Sequence, residues 1–185
     1  MKKTVFTFGL ISGVVSLAVM LPNLLLLDRI GINKAVIVGY TAIVLSFMLV
    51  FFGIRSYREN VGGGRITFGR AVAVGIMITL VSCAFYVISW LIIYYNFMPD
   101  FADKYAAYAV DQVKASGASP QQVEKTVQEM KDMKTLLDNP LTNAAITFTE
   151  PFPVGLIITL ISAAVLRKKR PDGVRANEPA AVEGA

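Results

Sequence analysis

The sequence predicts an all-α membrane protein with four transmembrane helices, and composition and charge patterning support this fold class. Apolar residues make up 55% of the 185-residue chain and charged residues 17%, against about 45–50% and 25% in soluble domains. The apolar residues are concentrated in long blocks that are almost free of charge. Basic residues cluster at the ends of these blocks. The net charge of +5 therefore indicates contact with membrane lipids, and we expect no nucleic-acid partner.

Three of the four predicted spans are uninterrupted apolar segments, at residues 5–27, 35–54 and 71–97. Each is long enough to cross about 30 Å of hydrocarbon at a rise of about 1.5 Å per residue. The first follows a basic start, as a signal peptide would. Its apolar stretch is longer than the usual 7–15 residues or so, and we therefore expect it to be retained as a helix.

The fourth predicted span, residues 144–166, is less regular than the others. It includes Glu150, Pro151 and Pro153 near one end, and the apolar part that follows them is too short to cross alone. Proline lacks the backbone N–H that a helix interior requires. We therefore expect this helix to be broken or kinked near its outer end.

The basic residues predict that both termini face the cytoplasm. They precede the first span, fill the link between the second and third, and follow the fourth, and four spans place these segments on one side. The candidates for contact with lipid head groups are Arg55, Arg58, Arg65, Arg70, Arg167, Lys168, Lys169 and Arg170. The tail at residues 171–185 is rich in Ala, Pro, Glu and Gly and is expected to be disordered.

An extracytoplasmic helical hairpin is predicted between the third and fourth spans, at residues 98–143. Phe101, Tyr105 and Tyr108 share one face of its first helix at steps of four and three residues. The run Ser119-Pro120-Gln121-Gln122 has the pattern of a capping box with proline at the first helical position, which marks the start of its second helix.

The residue types argue against catalysis and against a metal or cofactor site. Histidine is absent, which removes the commonest general base and metal ligand. The single cysteine, Cys83, lies in an apolar block and is interpreted as a packing residue. The spans lack the acid pairs or Ser–Lys dyads that an intramembrane enzyme would require. Gly62-Gly63-Gly64 lacks the Lys-Ser/Thr pair of a phosphate-binding loop and is interpreted as a flexible link.

Glu150 is the first candidate for a functional site, because an ionisable residue within a membrane is costly. On an ideal helix it lies about 24 Å from Leu166, or about 6 Å inside the outer edge of a core about 30 Å thick. Other polar residues expected at this level are Asn23, Tyr40, Tyr94, Tyr95 and Asn96. Together they form either a shallow polar pocket open to the outside or an ordinary interfacial belt.

Gly9 and Gly13 form a small-xxx-small pattern on the first span. Small residues four apart allow two helices to approach closely. The pattern predicts a helix-packing face, either within the bundle or between subunits of an oligomer.

Several short motifs resemble the DUF4199 family of bacterial membrane proteins, a domain of unknown function. They are Ile66-Thr67-Phe68-Gly69-Arg70-Ala71 before the third span, Met98-Pro99-Asp100-Phe101 after it, and Glu150-Pro151-Phe152-Pro153-Val154-Gly155-Leu156 ahead of a basic end. The resemblance covers residues 2–169. It implies a four-helix protein of the bacterial inner membrane, and it implies no activity.

Two functions fit these observations. The first is a non-catalytic membrane protein that binds a partner protein, a lipid or itself. The second is a subunit of an oligomeric transporter or channel that uses Glu150. Four helices are few for a transporter, so the second function would require a homo-oligomer.

Overall fold

The computed structural model describes residues 1–168, and within them the prediction of an all-helical chain is confirmed. The helices are α1 (Lys2–Leu25), α2 (Leu27–Ile30), α3 (Ile32–Asn60), α4 (Phe68–Phe97), α5 (Phe101–Ala115), α6 (Pro120–Asp138), α7 (Pro140–Thr149) and α8 (Pro151–Leu166). In this part of the chain α1, α3, α4 and the joined α7–α8 are long and apolar enough to cross a membrane. The predicted tail, with Lys169 and Arg170, lies outside the described residues.

The long helices extend past the predicted spans. The predicted spans began at residues 5, 35, 71 and 144, whereas the corresponding helices begin at Lys2, Ile32, Phe68 and Pro140. The second predicted span ended at residue 54, but α3 continues to Asn60. The reason is that hydropathy marks the part of a helix that fits the hydrocarbon, while the polar turns beyond it retain helical hydrogen bonds in water.

α1 packs closely against α4 through the two glycines of its small-xxx-small pattern. A Cβ atom on Gly9 would lie 2.6 Å from Val81 Cγ1, and one on Gly13 would lie 2.7 Å from Phe85 Cδ1. The structure therefore places both glycines at a contact within the bundle rather than at a free surface.

Hydrogen bonds between helices accompany this packing. The Ser12 hydroxyl donates to the Ser46 carbonyl at 2.9 Å, and the Ser82 hydroxyl to the Gly9 carbonyl at 3.2 Å. Thr79 and Thr159 share a hydrogen bond of 3.3 Å between α4 and α8. In lipid the hydrophobic effect contributes little to the association of helices. Close packing at small residues and hydrogen bonds from buried hydroxyls stabilise the bundle instead.

The basic segments meet at one end of the bundle, which we call the basic end. Arg58 donates to the Leu166 carbonyl at 3.4 Å, and the backbone amide of Lys168 donates to the Ile66 carbonyl at 3.0 Å. Phe8 of α1 lies beside Gly53 of α3, so the start of α1 also lies toward this end. The opposite end carries the links around α2 and the helices α5 and α6, and we call it the hairpin end.

α5 and α6 form the predicted hairpin. α5 ends before Gly117, whose φ of +75° is a conformation that glycine adopts without strain. The Ser119 hydroxyl accepts from the Gln122 amide at 3.3 Å, and the Gln122 side chain accepts from the Ser119 amide at 3.0 Å. The capping box is therefore confirmed. Lys134 of α6 pairs with Asp103 of α5, and this hydrogen bond raises the pKa of Lys134.

Candidate functional site

The break between α7 and α8 is a gap in the hydrogen bonds rather than a sharp change of direction. Glu150 has near-helical torsions, with φ −76° and ψ −59°. Pro151 has no N–H to donate to the Thr147 carbonyl, and the Glu150 amide bonds that carbonyl at 3.4 Å instead. The prediction of a fourth span interrupted by its prolines is confirmed. This interruption positions the Glu150 side chain.

Glu150 turns toward α4 and α3 rather than away from the bundle. Its Oε2 accepts a hydrogen bond of 3.2 Å from the Tyr86 hydroxyl. Tyr40 of α3 lies close enough to interact electrostatically with the carboxyl group. Among the described residues, no lysine or arginine forms an ion pair with Glu150. A carboxylate removed from water without a cation partner is costly.

These side chains line a cavity of about 520 Å³ at the hairpin end. α1 contributes Asn23, α3 contributes Tyr40, α4 contributes Tyr86 and Trp90, and the break contributes Glu150. Residues of α5 and α6 complete the lining from the hairpin side. The Nδ2 of Asn23 donates to the Ala35 carbonyl at 2.8 Å, while its Oδ1 is buried and has no hydrogen-bond partner among the residues that the structure describes. The volume lies in the range of about 300–1,000 Å³ that small-molecule sites occupy.

Asn143 fixes one wall of this cavity. It is fully buried, and its Oδ1 accepts from Trp90 Nε1 at 3.0 Å and from the Thr147 hydroxyl at 3.1 Å. Its Nδ2 donates to the Leu137 carbonyl at 3.0 Å. One amide thus joins α4, α6 and α7, and a satisfied buried network of this kind makes a site rigid.

Aromatic contacts attach the hairpin to the bundle above the cavity. The Trp90 and Phe101 rings meet edge to face, with centroids 5.1 Å apart. Tyr94 is only 3% exposed, and its ring centroid lies 5.7 Å from that of Trp90. Tyr95 donates to the Leu137 carbonyl at 2.7 Å. These rings therefore contact the hairpin, whereas an interfacial belt would point them into lipid.

The structure brings together three of the six residues of the predicted outward site. Glu150, Asn23 and Tyr40 line the cavity. Tyr94 packs behind it, Tyr95 bonds the hairpin backbone, and the exposed Asn96 bonds the Ile92 carbonyl of its own helix at 2.8 Å.

Sequence reasoning did not identify Tyr86 or Asn143 as parts of the site. Tyr86 lies well inside an apolar span, where its hydroxyl needs a polar partner, and that requirement was an available signal. Asn143 lies near the start of α7, where an asparagine is ordinary, so nothing in the sequence marked it.

A comparison with protein-family models agrees with this architecture. The model for DUF4199, described as a protein of unknown function, matches residues 7–168. The chain belongs to the DUF4199 family. The match includes the α7–α8 break and the basic link between α3 and α4. No curated protein and no solved structure matches the chain. Membership in DUF4199 therefore confirms the resemblance and assigns no activity.

Five of the eight predicted lipid contacts of this DUF4199 member fall into two groups. Arg55 and Arg58 pair with Glu59 at 3.0 Å and 3.2 Å within the protein. Three others line a second cavity, of about 530 Å³, at the basic end; they are Arg65, Arg70 and Lys168. Arg70 also donates to the Tyr57 hydroxyl at 3.1 Å. Arg167 is exposed.

Proposed function

We propose that this chain is a non-catalytic membrane protein that binds a small molecule in the cavity below its hairpin. The observation that supports this proposal is a single cavity of about 520 Å³. It is lined by residues of α1, α3, α4, the hairpin and the α7–α8 break. The part of its lining that the structure describes includes a single carboxylate and no lysine, arginine or cysteine. The described lining therefore lacks the paired acid and base groups that hydrolytic or transfer chemistry requires, which supports a non-catalytic role.

The cavity opens to the extracytoplasmic side in this proposal, and both termini lie in the cytoplasm of a bacterial cell. The support is the gathering of basic segments at one end of the bundle, since lysine and arginine are retained on the cytoplasmic side of inner-membrane proteins. Arg65, Arg70 and Lys168 around the second cavity then face anionic head groups and hold the protein at that surface.

Ligand binding is tested by thermal unfolding with and without a cavity-filling variant. Gly39 lines the cavity, and a Cβ there would meet only Asn23 Nδ2, at 3.8 Å. Gly39→Trp therefore introduces a bulky ring at the cavity wall, and its Cβ meets no backbone atom of another helix within 4 Å. The control is Gly69→Trp, because Gly69 is a helical glycine with nothing within 4 Å of an added Cβ.

The ligands for this test are water-soluble cationic, anionic and neutral aromatic fragments, added to the full chain in nanodiscs. A ligand that binds only the folded state raises Tm. We expect at least one fragment class to raise the Tm of the wild type and of Gly69→Trp but not that of Gly39→Trp. Fragments that stabilise none of the three proteins, or stabilise all three equally, would contradict a binding cavity.

A transporter subunit is the second candidate, and the α7–α8 break favours it. Interrupted helices at a buried carboxylate are typical of ion-coupled transport sites. Glu150 faces a cavity within one chain, so this function does not depend on a path between subunits. Uptake of a cavity ligand into proteoliposomes, abolished by Glu150→Gln, would support transport; saturable binding without uptake would support a binding protein.

A further inference from the structure

We infer that the cavity below the hairpin binds an organic ammonium ion that carries an apolar substituent. This inference rests on the proposed binding function and specifies its ligand class. Charge is the first argument. Glu150 is the only carboxylate among the described residues that line the cavity, and these include no lysine or arginine. Its one hydrogen bond in the described structure comes from the neutral Tyr86 hydroxyl. A bound cation would complete the pairing of the carboxylate.

The aromatic lining is the second argument. Five rings contribute to the cavity surface, those of Tyr40, Tyr86, Trp90, Phe101 and Tyr105. Aromatic rings attract ammonium groups through their quadrupoles, and several rings around one site are the usual means of recognising quaternary ammonium. An anion would meet the Glu150 carboxylate, so this lining disfavours anionic ligands.

The remaining acceptors and the apolar wall are the third argument. Among the described residues Asn23 Oδ1 is buried without a hydrogen-bond partner, and the partial negative charge of this amide oxygen favours a cation over an anion. Met20, Leu24 and Ile43 supply apolar surface on the α1 and α3 side. A hydrated metal ion needs several oxygen ligands, and this wall offers it few. An organic cation with an apolar group matches both parts of the lining.

The test uses Trp90, the only tryptophan of the chain, because it lines the cavity. The full chain in nanodiscs is titrated with benzyltrimethylammonium, and its fluorescence is recorded. Benzyl alcohol and benzenesulfonate serve as the neutral and anionic comparisons. We expect saturable quenching by the ammonium compound, with a Kd at least about tenfold lower than for either comparison.

Two variants separate charge from shape. Glu150→Gln retains the size of the side chain and removes its charge, and we expect it to raise the Kd of benzyltrimethylammonium about tenfold or more. Glu124→Gln, at an exposed position on α6, removes a carboxylate far from the cavity and should leave the Kd unchanged.

The outcomes distinguish this inference from the proposed function. Equal affinity of the wild type for the three compounds, together with a fragment-induced rise in Tm that Gly39→Trp abolishes, would overturn the ammonium inference and preserve the binding cavity. Quenching by none of the three would overturn the ammonium inference, and the fragment experiment then decides separately whether the cavity binds anything. If Glu150→Gln fails to fold, the affinities of the wild type for the three compounds still test whether the cavity prefers an ammonium ion.

Discussion

At the scale of single residues, two polar side chains define the hairpin end of the bundle. Glu150 is held at the gap that Pro151 leaves in the fourth span, with Tyr86 as its hydrogen-bond donor. Asn143 is fully buried, and its side-chain amide forms hydrogen bonds with Trp90, Thr147 and the Leu137 carbonyl. The first residue gives the cavity its charge and the second holds its wall in place.

Removing the Asn143 amide is expected to destabilise the protein. Asn143→Ala leaves Trp90 Nε1 without its acceptor, while the Leu137 carbonyl loses one donor and keeps the bond from the Tyr95 hydroxyl. An unsatisfied buried polar group costs about 1–3 kcal/mol, so we expect a lower Tm when unfolding in detergent is followed by Trp90 fluorescence. Asn96→Ala is the matched control, since that exposed amide bonds only its own helix. Equal Tm values for the two variants would show that the Asn143 network does not stabilise the bundle.

At the scale of helices, the hairpin is held by a cap at its turn and by aromatic packing at its base. α6 has no buried residue, so its stability depends on the capping box, on α5 and on contacts near Leu137. The order of the helices along the chain was predictable, because hydropathy and capping signals are local. The inward rotation of Tyr94 was not predictable, because it depends on which neighbour α4 meets.

Loss of the cap is expected to loosen α6 alone. Ser119→Ala removes the hydroxyl that accepts from the Gln122 amide, at a cost of about 1 kcal/mol. Hydrogen exchange should quicken in the first turns of α6 and stay unchanged in α4. Ser116→Ala is the control, because that hydroxyl donates to the Val113 carbonyl at the end of α5. Unchanged exchange in α6 after Ser119→Ala would argue that the cap is not needed.

At the scale of the whole molecule, glycines and small hydroxyl residues allow four helices to pack closely. Gly75 and Gly155 face Thr159 and Thr79 between α4 and α8, as Gly9 and Gly13 face α4 from α1. The sequence identified the small-xxx-small pattern but left two partners open, another helix of the same chain or another subunit. Only the arrangement of the helices decides between them, and the structure shows the contact within the chain.

A large side chain at Gly13 is therefore expected to disrupt the packing of α1 against α4. Its Cβ would lie 2.7 Å from Phe85 Cδ1, and overpacking of this kind costs about 1–3 kcal/mol. Gly13→Leu should lower Tm, while Val14→Leu, at a position 53% exposed, should not. A normal Tm with an altered oligomeric state for Gly13→Leu would instead place the motif between subunits.

We propose that the Glu150 cavity is open to the extracytoplasmic side, and thiol labelling is the most direct test of this orientation. Tyr40 lines the cavity and is 48% exposed, whereas the native Cys83 is fully buried and should react little. We predict that Tyr40→Cys reacts with a membrane-impermeant maleimide in intact spheroplasts and that Asn60→Cys, at the basic end, reacts only after permeabilisation. Labelling of Tyr40→Cys only after permeabilisation would reverse the orientation, and no labelling under either condition would contradict an open cavity.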